Sequence, residues 1–252
     1  MQNILQVRNL EKIYGSKGNI TKALDGVSFD VPEGEYVGVM GASGSGKTTL
    51  LNCVSTIDSA TAGNIYIEGT DVTTLKSSAL ANFRCKKLGF IFQDYNLLDT
   101  LTAFENIALA LTITKTNPRV VEQRVRDIAE KLGITGVMGK YPVQMSGGER
   151  QRTASARAIV TDPALVLADE PTGALDSKSA KALLESFRAM VKEMQSTILM
   201  VTHDPFSASY ADRILFIRDG KLFTELVRGA DGRKEFFDKI IDVMAVLGGE
   251  VA

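Results

Sequence analysis

The sequence predicts an α/β fold, a largely parallel sheet interrupted by one helical insert. Three observations point to it. Apolar runs of strand length alternate with stretches of helical period near both ends of the chain. One such run, EYVGVM (35–40), leads into a glycine-rich loop and then into KTTLLNCVSTI, giving strand, turn and helix in succession. From residue 94 to residue 160 the strand-length runs give way to apolar residues at spacings of three and four.

In chain order, VSFDV (27–31) alternates apolar and polar residues, and EYVGVM follows it. NIYIEG (64–69) and LGFIF (88–92) are short strands with a helix, SALANFRC (78–85), between them. TAFENIALALTI (102–113) is apolar and helical, and Val121, Val125, Ile128 and Leu132 put one apolar stripe on a second helix. ALVLADE (164–170), SKSAKALLESFRAMVKEM (177–194) and TILMVTHD (197–204) then repeat strand, helix, strand, a unit that implies right-handed crossovers and parallel pairing. ADRILFIRDGKLFTEL (211–226) reads as a hairpin turning at Asp219 and Gly220, and EFFDKIIDVMAVLGG (235–249) as a last amphipathic helix. No repeat, low-complexity tract or Pro-rich linker divides the chain, so one domain is expected over 1–252, with a core of 1–93 and 161–252 and a helical unit of 94–160.

Composition narrows the function classes. With 44% hydrophobic and 23% charged residues, the 252-residue chain has ordinary globular usage and reads as soluble. Lys and Arg number 29 against 30 Asp and Glu, a net charge of −1, so no broad basic field invites nucleic acid or an acidic membrane surface. No apolar run nears the roughly 18 residues of a membrane-spanning helix, and residues 1–10 lack the pattern of a secretory signal. The two cysteines, Cys53 and Cys85, form no C-x-x-C pair, which fits a reducing compartment and structural thiols.

GASGSGKT, Gly41 to Thr48, fits the G-x-x-x-x-G-K-[ST] pattern. Such a loop points backbone N–H groups at phosphate oxygens, and the helix behind it adds a positive dipole end. Gly41, Ser43, Gly44, Ser45 and Gly46 would form the cradle, Lys47 would neutralise the outer phosphates, Thr48 would ligate Mg²⁺, and Thr49 follows on the helix. LVLADE sets Asp169 and Glu170 at the C-terminal end of an apolar strand, where open parallel sheets bind ligands. Asp169 suits a Mg²⁺ ligand, and Glu170 could deprotonate the water that attacks the γ-phosphate. His203, the only histidine, ends a strand expected beside that of Asp169. Gln93 ends LGFIF in the same way, where an uncharged amide can orient water or complete a Mg²⁺ shell. Tyr14, ahead of Gly15, could stack on adenine or simply pack a turn. QMSGGERQRT (144–153) holds a second candidate phosphate cradle at Ser146, Gly147 and Gly148, about a hundred residues from the first.

GASGSGKT, FQD, MSGGERQR, LADEPTGALDSK and VTHDP, in this order and spacing, resemble the ATP-binding subunits of ABC transporters over essentially the whole chain. The resemblance implies a P-loop NTPase of ABC type, with a mixed sheet core, an N-terminal antiparallel β subdomain and a helical signature subdomain. It also implies two chains head to tail, each ATP lying between the phosphate loop of one and the S-G-G segment of the other. Tyr14 then stacks on adenine, Gln93 senses the membrane partner, Glu170 is the general base and His203 the γ-phosphate switch. Ser146, Gly147, Gly148, Glu149 and Asp176 lie across the dimer seam. Glu149 departs from the glutamine more common after S-G-G, placing an acid where an anion must bind.

FIFQDYNLLDTLTAFENIALAL, STILMVTHDPFSASYADRILFIRDGKLF and the tail ending VLGG are similar to the ATPases of bacitracin-type antimicrobial-peptide resistance and sensing transporters. Lipoprotein-release, macrolide-export and cell-division ATPases share part of that wording. The resemblance implies ATP and Mg²⁺, an integral membrane permease, a place on the cytoplasmic face of a bacterial membrane and a possible link to a sensor kinase, with no nucleic acid. Leu97, Leu98 and Phe104 could line a docking groove for the permease or belong to the core of the insert. ABC ATPases of DNA repair separate the two cradles by long coiled coils, and those of translation carry two cassettes; this chain does neither. A mechanical or sensory subunit that moves no substrate stays open.

Overall fold

The computed structural model describes residues 2–15 and 20–248; Gly249, at the end of the expected tail helix, lies outside them. Two sheets pack face to face. The smaller is antiparallel, in the order β2-β1-β4-β5, from β1 (Asn3–Tyr14), β2 (Thr21–Pro32), β4 (Ala62–Ile67) and β5 (Thr70–Asp71). The larger has the order β10-β9-β3-β8-β7-β6, from β3 (Tyr36–Met40), β6 (Leu88–Ile91), β7 (Leu165–Asp169), β8 (Ile198–Val201), β9 (Arg213–Arg218) and β10 (Lys221–Val227). Its strands β9, β3, β8, β7 and β6 run parallel, and β10 returns antiparallel at the edge. This is the mixed core with an antiparallel N-terminal unit that the resemblance implies.

Alternation along β3 shows why the larger sheet lies inside. All five residues are buried, with Val37 and Val39 in one core and Tyr36 and Met40 in another. The first core lies between the sheets, where Leu5, Val7, Leu24 and Val31 meet Leu167, Leu199 and α1 (Lys47–Val54). The second covers the opposite face, where α6 (Ser177–Met194) buries Leu183, Leu184 and Phe187, the short α7 (Pro205–Ala208) buries Ala208, and α8 (Arg233–Gly248) buries Phe236 and Ile240. A strand covered on both faces by apolar layers reads as a continuous apolar run, as EYVGVM does.

After α2 (Ser77–Lys87) and β6, the chain forms α3 (Ala103–Ile113), α4 (Pro118–Lys131) and α5 (Gly147–Ile159) before re-entering the sheet at β7. α3 starts on a capping box in which Thr102 accepts from Glu105 N and Glu105 returns a carboxylate to Thr102 N. The expected stripe on α4 buries Val125 and Ile128 against Ile107 and Leu111 of α3, in one cluster with Val166 and Ala168 of β7. Leu97 and Phe104 pack against this cluster, while Leu98 is 47% exposed. The core alternative therefore holds for Leu97 and Phe104, and Leu98 faces a groove of about 490 Å³ with Phe90, Phe92, Leu109 and Ile113. α5 reaches β6 because Gly89 has no side chain: a Cβ there would stand 2.3 Å from Ala158 O. Burial pushes the Cys53 thiol up to about 11, in keeping with a structural role, whereas Cys85 is exposed.

Candidate active site

β3 ends at Met40, and the phosphate loop turns back under it into α1. Gly46 makes the turn with φ 107°, and a Cβ there would meet Ala23 O at 2.5 Å, so conformation and space both require glycine. Lys47 opens α1 and folds over the loop, donating from Nζ to Gly41 O and Ala42 O at 2.9 Å each. Burial lowers its pKa, while Glu170 and Asp169 oppose that shift, so an arriving phosphate would favour the charged ammonium further. Ser45 Oγ is buried without a hydrogen-bond partner.

The acidic pair stands where β7 ends, and β7 pairs with β8 so that Asp169 lies opposite Val201. Asp169 Oδ1 is buried and unpartnered, and its pKa is raised by burial first and by Glu170 second. Glu170 follows with φ 43°, which turns its side chain away from the strand direction. Its Oε1 lies 2.7 Å from His203 Nδ1, and its Oε2 accepts from Thr202 Oγ at 3.2 Å. Gly41, Ser43, Gly44, Lys47, Thr48, Glu170 and His203 share one cavity of about 500 Å³.

Asp169 Oδ1 has no hydrogen-bond partner, and the Lys47 ammonium offsets the cost of its burial only in part. Replacing Asp169 with Asn is expected to stabilise the chain by about 1 kcal/mol, because it removes a buried charge while keeping the shape of the side chain. Its raised folded-state pKa gives the sign: the charged Asp169 opposes folding in full once pH exceeds that pKa, so the gain should shrink as pH falls through it. Melting curves of both chains at neutral and mildly acidic pH, with turnover measured alongside, check this; turnover should be lost.

Gln93 is exposed and packs on the turn after Glu170, where a Cβ on Gly173 would stand 3.0 Å from its Nε2. Tyr14, 41% exposed, donates its phenol to Asp58 Oδ2 at 2.7 Å, while Lys12 Nζ lies 4.8 Å from its ring centre and 2.6 Å from Asp58 Oδ1. The Lys12 ammonium first, then the Tyr14 phenol, hold the Asp58 carboxyl below its usual range.

The second cradle is elsewhere. Ser146 caps α5 through Oγ, accepting from Glu149 N at 3.3 Å, and Glu149 Oε2 accepts from Ser146 N at 2.7 Å. Lys140 Nζ lies 3.6 Å from Glu149 Oε1. The acid thus spends its charge on its own helix end, and the Ser146 N–H holds its pKa low. Asp176 likewise caps α6, accepting from Lys178 N and Ser179 N at 3.0 Å and from Ser179 Oγ at 2.7 Å. The two helix starts adjoin, since a Cβ on Gly148 would stand 2.8 Å from Ser179 Oγ. None of Ser146 to Glu149 lines the phosphate cavity.

A capping box accepts Gln at its third position as well as Glu. Glu149→Gln is therefore expected to melt close to the parent, and Glu149→Ala to lose about 1 kcal/mol of cap. The carboxylate's support is complete above its unfolded pKa and fades as pH falls through the lowered folded one, so the gap between the parent and the Glu149→Ala chain should close in acid. Thermal denaturation across that range reads it out.

Sequence reasoning did not find Thr202, which bonds Glu170, or Asp58, which anchors Tyr14. It also missed Met244, Leu247 and Gly248 of α8, which border the phosphate cavity. Thr202 was within reach, one residue before His203 in VTHD. Nothing local marks the others, because the contact is made by packing of distant segments.

A phosphate loop between a central parallel strand and a helix, with an acidic pair ending the strand next but one in the same sheet, defines a P-loop ATPase. Residues 24–173 match the ABC transporter family, and the chain belongs to it as an ABC ATPase, the ATP-binding, ATP-hydrolysing kind of subunit. The bacitracin export ATP-binding protein BceA of Halalkalibacterium halodurans is 50% identical over 98% of this chain and 97% of its own. The macrolide export ATP-binding/permease protein MacB of Mannheimia succiniciproducens is 40% identical over 88% of this chain, which matches 34% of that longer protein. Among solved structures, a dimeric post-hydrolysis state of the ATP-binding cassette MJ0796 bound to ADP and Pi superposes with TM-score 0.81 at 34% identity, covering 88% of this chain and 98% of that one.

Proposed function

We propose that the chain works as a head-to-tail pair beneath a membrane permease, driving the export or sensing of antimicrobial peptides. The observation that carries the pairing is the separation of two phosphate cradles in one chain: Lys47, Glu170 and His203 share a cavity from which Ser146 to Glu149 are absent. Each chain then supplies half of two sites, and MJ0796 cassettes pair in the solved dimer. The peptide class follows from the 50% identity to a bacitracin exporter along nearly the whole chain.

In this reading Tyr14 stacks on adenine, and Gly41, Ser43, Gly44, Ser45, Gly46, Lys47, Thr48 and Thr49 hold the phosphates. Phosphate oxygens replace the loop carbonyls on Lys47. Thr48, Gln93 and Asp169 would hold Mg²⁺, and the orphaned Asp169 Oδ1 fits a cation. The ion would neutralise phosphate charge. Glu170, held by Thr202 and His203, takes the proton of the attacking water, and His203 meets the γ-phosphate. Ser146, Gly147, Gly148, Glu149 and Asp176 face the partner's nucleotide. The core of 1–93 and 161–252 carries the first half-site, and the helical unit of 94–160 carries the signature. The groove at Leu98 receives the permease, which places the chain at the cytoplasmic face of the membrane; a sensor kinase would be reached through that permease.

The test is ATPase activity of the chain reconstituted with its permease in vesicles, with and without peptide. Stimulation by bacitracin-type peptides supports the reading. Stimulation by macrolides or lipoproteins would favour the macrolide-export or lipoprotein-release alternative, which the 40% relative motivates. Turnover indifferent to all of them would favour a mechanical subunit of the cell-division kind.

A further inference from the structure

The segment around Gln93 is gripped by the signature helix. Gln151, fully buried on α5, donates from Nε2 to Phe92 O at 3.1 Å. Arg157 of the same helix donates from Nη2 to Tyr95 O at 3.1 Å and from Nη1 to Asn96 O. Arg150 sets its guanidinium 5.0 Å from the centre of the Tyr95 ring, within cation–π range. Three side chains of one helix thus hold the chain on both sides of Gln93. The grip matters because Tyr95 and Asn96 have φ of 62° and 49°, a left-handed pair that non-glycine residues adopt only where surroundings over-determine it.

Tyr95 also reaches past α5. Its Oη lies 3.5 Å from Ala174 O, in the turn between Glu170 and Asp176, and a Cβ on Gly147 would stand 3.1 Å from that Tyr95 Oη. One phenol oxygen of the Gln93 loop thus lies beside the first glycine of the signature and the turn that leads to Asp176. These segments serve different half-sites.

The geometry points to Tyr95 as a positioning residue that fixes the signature segment and the Asp176 turn relative to the Gln93 loop, so that neither seam element is placed for the partner's nucleotide unless that loop is in register. The inference rests on the head-to-tail reading. Displacing the loop would tilt the Tyr95 ring, and the ring would carry Gly147 with it, because interfaces packed this closely shift between discrete arrangements. Nucleotide binding to the chain's own phosphate loop is untouched, since neither Tyr95 nor Arg150 borders that cavity.

The experiment compares Tyr95→Ala, Tyr95→Phe and Arg150→Gln in the full chain, each alone and combined with Glu170→Gln. Amide hydrogen exchange over 94–97 and 146–150 is measured together with melting, ATP affinity and ATP-driven dimerisation by sedimentation. Tyr95→Ala is expected to speed exchange in both segments by about tenfold or more. It should also lower the ATP-bound dimer fraction while leaving ATP affinity within about twofold of the parent. Tyr95→Phe keeps the ring over Arg150 but removes the Oη beside Ala174 O and Gly147, so it should speed exchange at 146–150 while leaving 94–97 near the parent, and Arg150→Gln should move in the direction of Tyr95→Ala. Unchanged exchange at 146–150 in Tyr95→Ala overturns the inference, as does parental exchange there in Tyr95→Phe. If Tyr95→Ala melts globally, Arg150→Gln decides by the same criteria. Failure of the Glu170→Gln chain itself to dimerise with ATP would sink the head-to-tail reading, and the exchange data would then judge Tyr95 separately.

Discussion

Glu170→Gln is expected to lower steady-state phosphate release by about 10²- to 10⁴-fold, the range for loss of a positioned general base, with ATP affinity nearly unchanged. The shape of the site survives the change. Glu170 accepts from Thr202 Oγ through one oxygen and meets His203 Nδ1 through the other, and an amide can accept at the first while donating at the second. What an amide lacks is the capacity to take a proton from water. The left-handed backbone at Glu170 and its bond from N to Val201 O are indifferent to the substitution, so folding should not change. Phosphate release measured beside nucleotide binding decides the matter. Near-parent turnover would remove Glu170 as the base and leave Asp169, at the end of the same strand, as the acid to examine.

Much of the fold was legible because its signals are local. EYVGVM, LVLAD and ILMV are wholly or almost wholly buried strands, and each is an apolar run bounded by a turn or helix. The stripe Val121, Val125, Ile128, Leu132 announced α4, where Leu132 caps the helix and Val125 and Ile128 are buried. β1 was harder to see as one strand. It runs from Asn3 to Tyr14 with register shifts around Arg8 and Asn9, and the left-handed Asn9 breaks the alternation that would have revealed it.

The site divides along the same line. The phosphate loop and the acidic pair are contiguous motifs, and pairing of β7 with β8 brings Asp169, Glu170 and His203 to one sheet edge as a parallel sheet requires. Tertiary supports are different in kind. Asp58 is 44 residues from the Tyr14 it anchors, and Arg157 is 62 from Tyr95, so no window of sequence contains both partners. The acid at position 149 shows a third case: the sequence puts an acid where an anion must bind and leaves its effect open, and the structure turns it onto Ser146 N as the far half of a capping box. Residue type was readable, but the direction of the side chain depended on helix-end geometry.

Ser146→Arg should block ATP-driven pairing while leaving ATP bound to the single chain. Ser146 is exposed at the start of α5, with Gly147 and Gly148 behind it, so in the paired arrangement a long side chain there must enter the space between two chains. The phosphate cavity, lined by Gly41 to Gly44, Lys47, Thr48, Glu170 and His203, contains no residue of this segment and should bind nucleotide as before. The substitution also removes the hydroxyl that accepts from Glu149 N, a loss of about 0.5–2 kcal/mol for an N-cap. Ser146→Ala separates the two effects, since it loses the same cap without adding bulk. In the Glu170→Gln background, where bound ATP persists, sedimentation should show ATP-dependent dimers for the parent and for Ser146→Ala, and monomers with bound ATP for Ser146→Arg. A Ser146→Arg chain that still dimerises to the parental extent would mean that the segment lies away from the seam, and the second phosphate cradle would then need a ligand other than the partner's nucleotide.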